Sequence, residues 1–220
     1  MWRGFAKTAA ATALWSVVHS ALATPRAKRK AAEWLGPRAE AGLYRGFYNA
    51  QSCATLALLI VYIRGLPNRE LYRARGPLAL LLRSGQAAGL LGMAWTAAHI
   101  GPGRLTGLDG LAAMAHGGPV PPPAEGHGPT PEFGGALPAT GPFRHTRHPM
   151  NVAMPLVMWL NPRMTTNYLA FNLVGHAYLL LGSAIEEARM RATFGDRYDA
   201  YRAKGVPFYV PSATAVPDDR

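Results

Sequence analysis

GPFRHTRHPMN (141–151) opens the stretch that decides the fold. It runs into the apolar MNVAMPLVMWL (150–160), then Asn161-Pro162-Arg163, then the longer apolar MTTNYLAFNLVGHAYLLLGSAI (164–185). Glu186-Glu187 and FGDRYDAYRAKGVPFYVP (194–211) follow. Two apolar runs parted by Asn-Pro-Arg read as a helical hairpin. The second run reaches the ~20 residues a helix needs to cross a bilayer, and the first is too short to cross alone. Charged groups stand at both feet of this hairpin, where a membrane makes polar groups costly unless they are used.

Outside this stretch the apolar residues are just as segregated. Phe5–Ala23, Gly46–Ile63 and Pro77–Ile100 are further runs. The mean hydropathy of +0.00 averages over this pattern and hides it. The expected fold class is all-α: a polytopic integral membrane protein of about five hydrophobic helical segments ending in a helical hairpin. The chain is read as one domain, 1–220. It comprises a three-helix region (1–100), a polar Gly/Pro-rich loop (101–146), the hairpin with a cytoplasmic C-terminal catalytic region (147–211) and a loose tail (212–220). The loop contains Pro121-Pro122-Pro123 and is expected to be partly disordered or to order only against a partner or ligand. Arg3, Lys7 and Ala21-Leu22-Ala23 mimic a signal peptide. His19-Ser20 inside the apolar run favours a retained first helix.

The net charge is +11. The cations sit beside apolar runs: Arg26, Lys28, Arg29, Lys30 and Arg38 after the first, Arg64, Arg69, Arg73 and Arg75 after the second. That placement fits lipid head groups better than a nucleic-acid stripe. Thr24-Pro25 is a helix start, with Thr as N-cap and Pro at the first position. The segment after it reads as a basic amphipathic helix on the membrane surface. By the charge bias this loop is cytoplasmic, and so are the hairpin feet. Cys53, the single cysteine, permits no internal disulfide and reads as a small core residue.

Pro149 marks a second helix start, just after Arg147 and His148. If the hairpin arms close at one face, a guanidinium, an imidazole and two carboxylates converge. Two readings stand. One is an ion cluster that anchors the hairpin. The other is a pocket for a zwitterion, with an Arg fork for a carboxylate and a Glu for an ammonium or sulfonium. His19, His99 and His176 fall in or near apolar runs. No pair of them has the i, i+3 or i+4 spacing of a haem or metal site, so interhelical hydrogen bonding is the preferred role. Gly101-Pro102-Gly103-Arg104-Leu105-Thr106-Gly107 follows a helical run rather than a strand, so it does not read as a nucleotide loop.

The spaced elements Gly141-Pro142-Phe143-Arg144-His145-Thr146-Arg147-His148-Pro149, Glu186-Glu187, Phe194-Gly195, Tyr198, Tyr201-Arg202 and Val206-Pro207 resemble the membrane methyltransferases related to isoprenylcysteine carboxyl methyltransferase. Within that group the chain is most similar to bacterial methanethiol S-methyltransferases and NnrU-type proteins. His19-Ser20-x-Leu22-Ala23 and Trp159-x-Asn161-Pro162-x-Met164-Thr165 carry the narrower placement. The resemblance implies S-adenosylmethionine as cofactor. It implies cofactor contacts from His145, Arg147, His148, Pro149, Asn151, Glu186, Glu187, Tyr198 and Tyr201, and catalytic roles for Arg147, Glu187 and His19. For the two tyrosines, interfacial anchoring is the competing reading. No metal is expected. Where the pattern usually continues Arg-His-Pro-x-Tyr-x-Gly, this chain has Asn151 for the aromatic and Ala153 for the glycine. That removes a hydroxyl or stacking contact and a point of close backbone approach.

The expected function is methyl transfer from S-adenosylmethionine to a small or lipophilic thiol, methanethiol giving dimethyl sulfide. The site is expected at the cytoplasmic face of a bacterial inner membrane, with membrane lipid as partner and no nucleic acid. An isoprenoid or lipid carboxylate or amine is the alternative acceptor. A non-enzymatic NnrU-like membrane protein of nitrogen-oxide metabolism is the alternative of another class.

Overall fold

The computed structural model describes residues 2–120, 128–129 and 137–217. These are mostly helical, at 74%. In chain order the elements are α1 (Trp2–Leu22), α2 (Pro25–Leu35), α3 (Pro37–Arg64), β1 (Glu70–Arg73), α4 (Gly76–Ile100), α5 (Pro102–Thr106) and α6 (Leu108–Ala115). A 3-10 turn (Gly141–Arg144), α7 (Pro149–Trp159), β2 (Arg163–Thr165), α8 (Thr166–Phe194) and α9 (Asp196–Ala203) follow. The chain forms two compact units, and the division falls inside α8. One comprises Met1–Arg75, Gly103–Pro123 and Pro162–Tyr178; the other comprises Gly76–Pro102, Ala124–Asn161 and Leu179–Arg220.

Two helices, α3 and α8, are long and apolar enough to cross a membrane. At 1.5 Å per residue α3 is about 42 Å long, more than the ~30 Å hydrocarbon core. Large apolar side chains point outward along it and along other helices: Leu58 is 68% exposed, Leu91 71% and Leu181 64%. Such rows exceed what a soluble monomer leaves in water. These are the features of a membrane protein. Cys53, expected in the core, is exposed on α3 among these outward side chains. A small thiol is as content against lipid as inside a core, so its burial was not fixed by polarity.

In the first unit, the expected cap at the start of α2 is present. The Thr24 side chain accepts a hydrogen bond from Ala27 N at 3.2 Å, with Pro25 at the first helical position. The buried face of α1 is Gly4, Thr8, Thr12 and Ser16, one small residue per turn, which lets neighbouring backbone approach closely. The structure adds β1 and β2, an antiparallel pair that an all-α reading lacks. Asn68 ties this ribbon to the start of α8. Its Oδ1 accepts from Arg69 N, Thr166 Oγ1 and Asn167 N, and its Nδ2 donates to Thr165 Oγ1. One amide thereby satisfies backbone donors that the first turn of a helix leaves open.

The Gly/Pro-rich segment is more ordered than expected. Its first third forms α5 and α6, which belong to the first unit apart from Pro102. Arg45 Nε and Asn49 Nδ2 of α3 both donate to Leu105 O at 2.9 Å. Gly42 and Gly110 bring α3 and α6 together, since a Cβ on Gly110 would stand 2.8 Å from Gly42 O. The Pro121-Pro122-Pro123 run lies outside the described residues.

In the second unit α4 packs along α7. A Cβ on Gly89 would meet Ala153 O and Leu156 Cβ at 2.9 Å, and Gln86 Nε2 donates to Val157 O at 2.9 Å. The close approach that Ala153 seemed to forbid is therefore supplied by the glycines of α4.

Candidate functional site

The site is assembled in the second unit, where the turn before α7, the end of α8, α9 and the chain after α9 meet. Gly141 starts this turn with φ +50, a left-handed conformation that favours glycine. His99 Nε2 stands where its side chain would be. Phe143 O then accepts from the hydroxyl of the fully buried Tyr201, at 2.8 Å. Thr146 Oγ1 accepts from His148 N, helping the turn enter α7.

Arg147 is held on three sides. Its Nε donates to Glu187 Oε1 at 2.9 Å and its Nη2 to Glu187 Oε2 at 3.2 Å, a bidentate pair. Its Nη1 donates to Val206 O at 2.6 Å. His148 lies between the two carboxylates: Nε2 is 3.1 Å from Glu187 Oε1, and Nδ1 is 3.6 Å from Glu186 Oε2. Glu186 is 3% exposed. Tyr198 donates its hydroxyl to Glu187 Oε1. Arg202 Nε approaches Glu187 Oε2 at 3.5 Å without a hydrogen bond. One carboxylate thus takes contacts from four residues, two in the turn before α7 and two on α9.

The electrostatics follow from this geometry. Burial disfavours the charged form of His148, but hydrogen bonds and charge from Glu186 and Glu187 outweigh it, and its pKa is raised. Burial pushes the Tyr198 phenol up, and its bond to the Glu187 carboxylate pushes it further. With His148 protonated, Arg147 and His148 balance Glu186 and Glu187.

The last stretch of the chain beyond α9, 212–220, was expected to be a loose tail. Instead it is laced onto the turn. Arg147 N donates to Pro207 O, Ser212 N to His145 O, and Val216 N to Arg144 O. His145 Nδ1 donates to Ser212 O at 3.0 Å and Arg144 Nε to Val216 O at 2.7 Å. Residues 218–220 lie outside the described residues. The tail carries Phe208 under Arg147, with the guanidinium 5.6 Å from the ring centre, and Phe208 also meets His148 edge-on. Tyr209 donates its hydroxyl to Asn151 O at 2.7 Å.

The structure therefore brings together Arg147, His148, Glu186, Glu187 and Tyr198. His145 and Tyr201 support the same turn through backbone contacts. Pro149 begins α7. The Asn151 amide donates to Ser183 Oγ at 2.9 Å. A tyrosine hydroxyl does reach this backbone, but from Tyr209 in the tail. His19 belongs to the first unit, in a cluster of its own. Its Nδ1 is 2.9 Å from Ser52 Oγ, its Nε2 is 2.6 Å from Tyr48 O–H, and it stacks on Trp15. The sequence reading missed Phe208, Tyr209, Arg202 and Ser183 as members of the site. Arg202 and Val206-Pro207 were part of the recognised pattern. Phe208-Tyr209 had no signal beyond adjacency to it.

The fold and the cluster define a helical membrane protein with a buried, charge-balanced site. Over part of its length the chain is related to proteins named methanethiol S-methyltransferase. It is 35% identical over 83 residues to one from Pseudomonas deceptionensis, covering 35% of this chain and 31% of that protein. It is 36% identical over 69 residues to one from Crocosphaera subtropica, covering 31% of this chain and 27% of that protein. A methanethiol S-methyltransferase 2 from Bradyrhizobium diazoefficiens is 38% identical over 69 residues, covering 31% of this chain and 26% of that protein. In each case the matched stretch spans less than a third of the relative's length. No protein-family profile and no solved structure matches the chain.

Proposed function

We propose that this chain is an S-adenosylmethionine-dependent methyltransferase of the bacterial inner membrane that methylates a small thiol at the cytoplasmic face, with methanethiol giving dimethyl sulfide. The observation that carries the reading is the cluster of Arg147, His148, Glu186 and Glu187, considered with the names of the relatives.

The donor set fits the cofactor's chemistry. S-adenosylmethionine carries a sulfonium and an ammonium, and Glu186 and Glu187 supply negative charge in a setting with little water to screen it. Its carboxylate needs a cation. The fork of Arg147 is already spent on Glu187 and Val206 O. Arg202, whose Nη1 donates to the exposed Asp199 and whose buried Nε makes no hydrogen bond, keeps a donor for it. Phe208 offers an aromatic face to the adenine. When bound, the cofactor supplies a methyl group activated by positive sulfur.

The chain's own work is positioning. Arg147, His148 and Tyr198 fix the Glu187 carboxylate from three directions, and the laced tail fixes Arg147. Holding two reactants in line can supply several kcal/mol, up to ~7–11 for an ideally held pair. The contacts of His148 with Glu186 and Glu187 favour its protonated form, and a cation there would favour the thiolate form of a nearby acceptor. A lipophilic thiol partitions into the bilayer, so the membrane concentrates it near the site.

The test uses purified full-length chain in detergent, titrated calorimetrically with S-adenosylmethionine and assayed with methyl-labelled cofactor against thiol, carboxylate and amine acceptors. Binding, with label recovered in dimethyl sulfide, is expected. Glu186→Gln is expected to weaken cofactor binding by tenfold or more, about the ~1.5 kcal/mol of one charge-assisted bond. An absence of cofactor binding overturns the reading. Label recovered only in a carboxylate or amine product overturns the thiol assignment alone.

A further inference from the structure

We propose that the start of α2 is a docking surface for anionic phospholipid head groups, formed by Arg26, Lys28, Arg29 and Lys30. This does not rest on the methyltransferase reading. No residue of α2 is buried, and Arg26, Arg29 and Lys30 are exposed. Four cations lie within five residues, and Glu33 is the only acid on the helix. Charge alone would suit many acidic partners. The tertiary structure narrows the choice by fixing where the cluster stands.

Tyr44 of α3 donates its hydroxyl to Leu22 O, the last residue of α1, at 2.7 Å. Tyr44 precedes the apolar run Gly46–Ile63 of a membrane-crossing candidate by two residues, about 3 Å along the helix. The end of α1 is therefore level with the edge of the apolar zone. The chain then turns tightly. Thr24 N and Thr24 Oγ1 both donate to Ala21 O, at 3.2 and 2.7 Å, and α2 begins at Pro25. Arg26 follows at once and Lys30 one turn later. From Leu22 to Arg26 even an extended chain spans only ~14 Å. The backbone of Arg26 thus stands within ~14 Å of that edge, a gap its long side chain can narrow to about a Debye length, ~8–10 Å, where anionic lipid acts strongly on it. The Thr24 cap keeps this first turn helical and so keeps Arg26, Arg29 and Lys30, spaced i, i+3 and i+4, on one side of it.

The full chain is reconstituted in phosphatidylcholine bilayers, and its association with spin-labelled phosphatidylglycerol is compared with that of spin-labelled phosphatidylcholine. The wild type is expected to prefer the anionic label, with the preference collapsing in 0.5 M salt as head-group contacts are screened, an outcome estimated at about threefold or more. The variant Arg26→Gln/Lys28→Gln/Arg29→Gln/Lys30→Gln is expected to lose that preference by roughly threefold or more. Arg64→Gln/Arg75→Gln, at the C-terminal end of α3 and in the chain after β1, is expected to keep it. If the quadruple variant does not fold, Arg29→Gln/Lys30→Gln, both exposed, is expected to show a partial loss. No wild-type preference overturns the proposal. So does a preference that survives removal of the α2 cations, or one that follows Arg64 and Arg75.

Discussion

Replacing Glu187 by glutamine removes one charge from the centre of the cluster and leaves its shape. The Arg147 and Glu187 side chains are 11% and 14% exposed, so neither charge is well served by solvent. Breaking a buried pair by removing one partner costs about 3–5 kcal/mol, because the other charge stays behind unpaired. The residual exposure and the Val206 carbonyl still held by Arg147 reduce this to roughly 2–3 kcal/mol for Glu187→Gln. Arg147→Met should cost a similar amount or less, because Glu187 loses its bidentate partner but keeps His148 and Tyr198. The double variant leaves neither ion stranded and should cost less than the sum, by about 1.5 kcal/mol or more. For a chain of this size each kcal/mol moves the melting midpoint by roughly 2–4 °C. Glu187→Gln should therefore melt about 4–12 °C below the wild type and Arg147→Met no further below it, and the double variant should recover part of the combined loss. Intrinsic fluorescence melts in one detergent and at one scan rate measure all four proteins. Additive losses would show that Arg147 and Glu187 do not stabilise one another, and the cluster would then not be the rigid element the proposed function needs.

Other outcomes follow from the same geometry. His148 has a raised pKa in the folded state, so the stability it contributes is full below the ordinary histidine pKa and is lost as pH rises through the raised value. Melts of wild type against His148→Gln should therefore converge toward alkaline pH, and an unchanged gap would contradict the carboxylate contacts. Tyr209→Phe should cost about 1 kcal/mol through the lost bond to Asn151 O, read as a small drop in melting midpoint. Gly89→Leu should block the packing of α4 on α7 and sharply reduce the yield of folded protein, because its Cβ would press on Ala153 O. Asn68→Ala should cost about 2 kcal/mol or more, since Thr166 and the backbone donors at the start of α8 lose their acceptor. Equal melting of this last variant and the wild type would show that β1 and β2 pair without the Asn68 tie.

How much of this was legible in the chain depends on how local the physics is. The runs at 46–63 and 164–185 announced α3 and α8, because backbone in lipid must satisfy its own hydrogen bonds and apolar side chains must face outward. Thr24-Pro25 and Pro149 announced helix starts, because caps and proline act within one turn. The polar feet of the hairpin also pointed to a cluster, since Arg147, His148, Glu186 and Glu187 flank two arms that return. What the chain could not show was who pairs with whom. Arg147 looked like a fork awaiting a ligand, and only the fold reveals that Glu187 and Val206 O occupy it. The tail looked loose because it lacks apolar periodicity, yet the backbone carbonyls of Arg144 and His145 hold it. Asn68 ties the ribbon to α8, a role that no local pattern announces. Sequence by itself determined that the protein is mostly helical and that 46–63 and 164–185 lie in helices suited to a membrane, since those follow from propensity and polarity along the chain. Only the tertiary structure decided the partners of the charged groups and the tie between the end of α1 and Tyr44 of α3. Those depend on contacts between residues tens of positions apart, which no local pattern encodes.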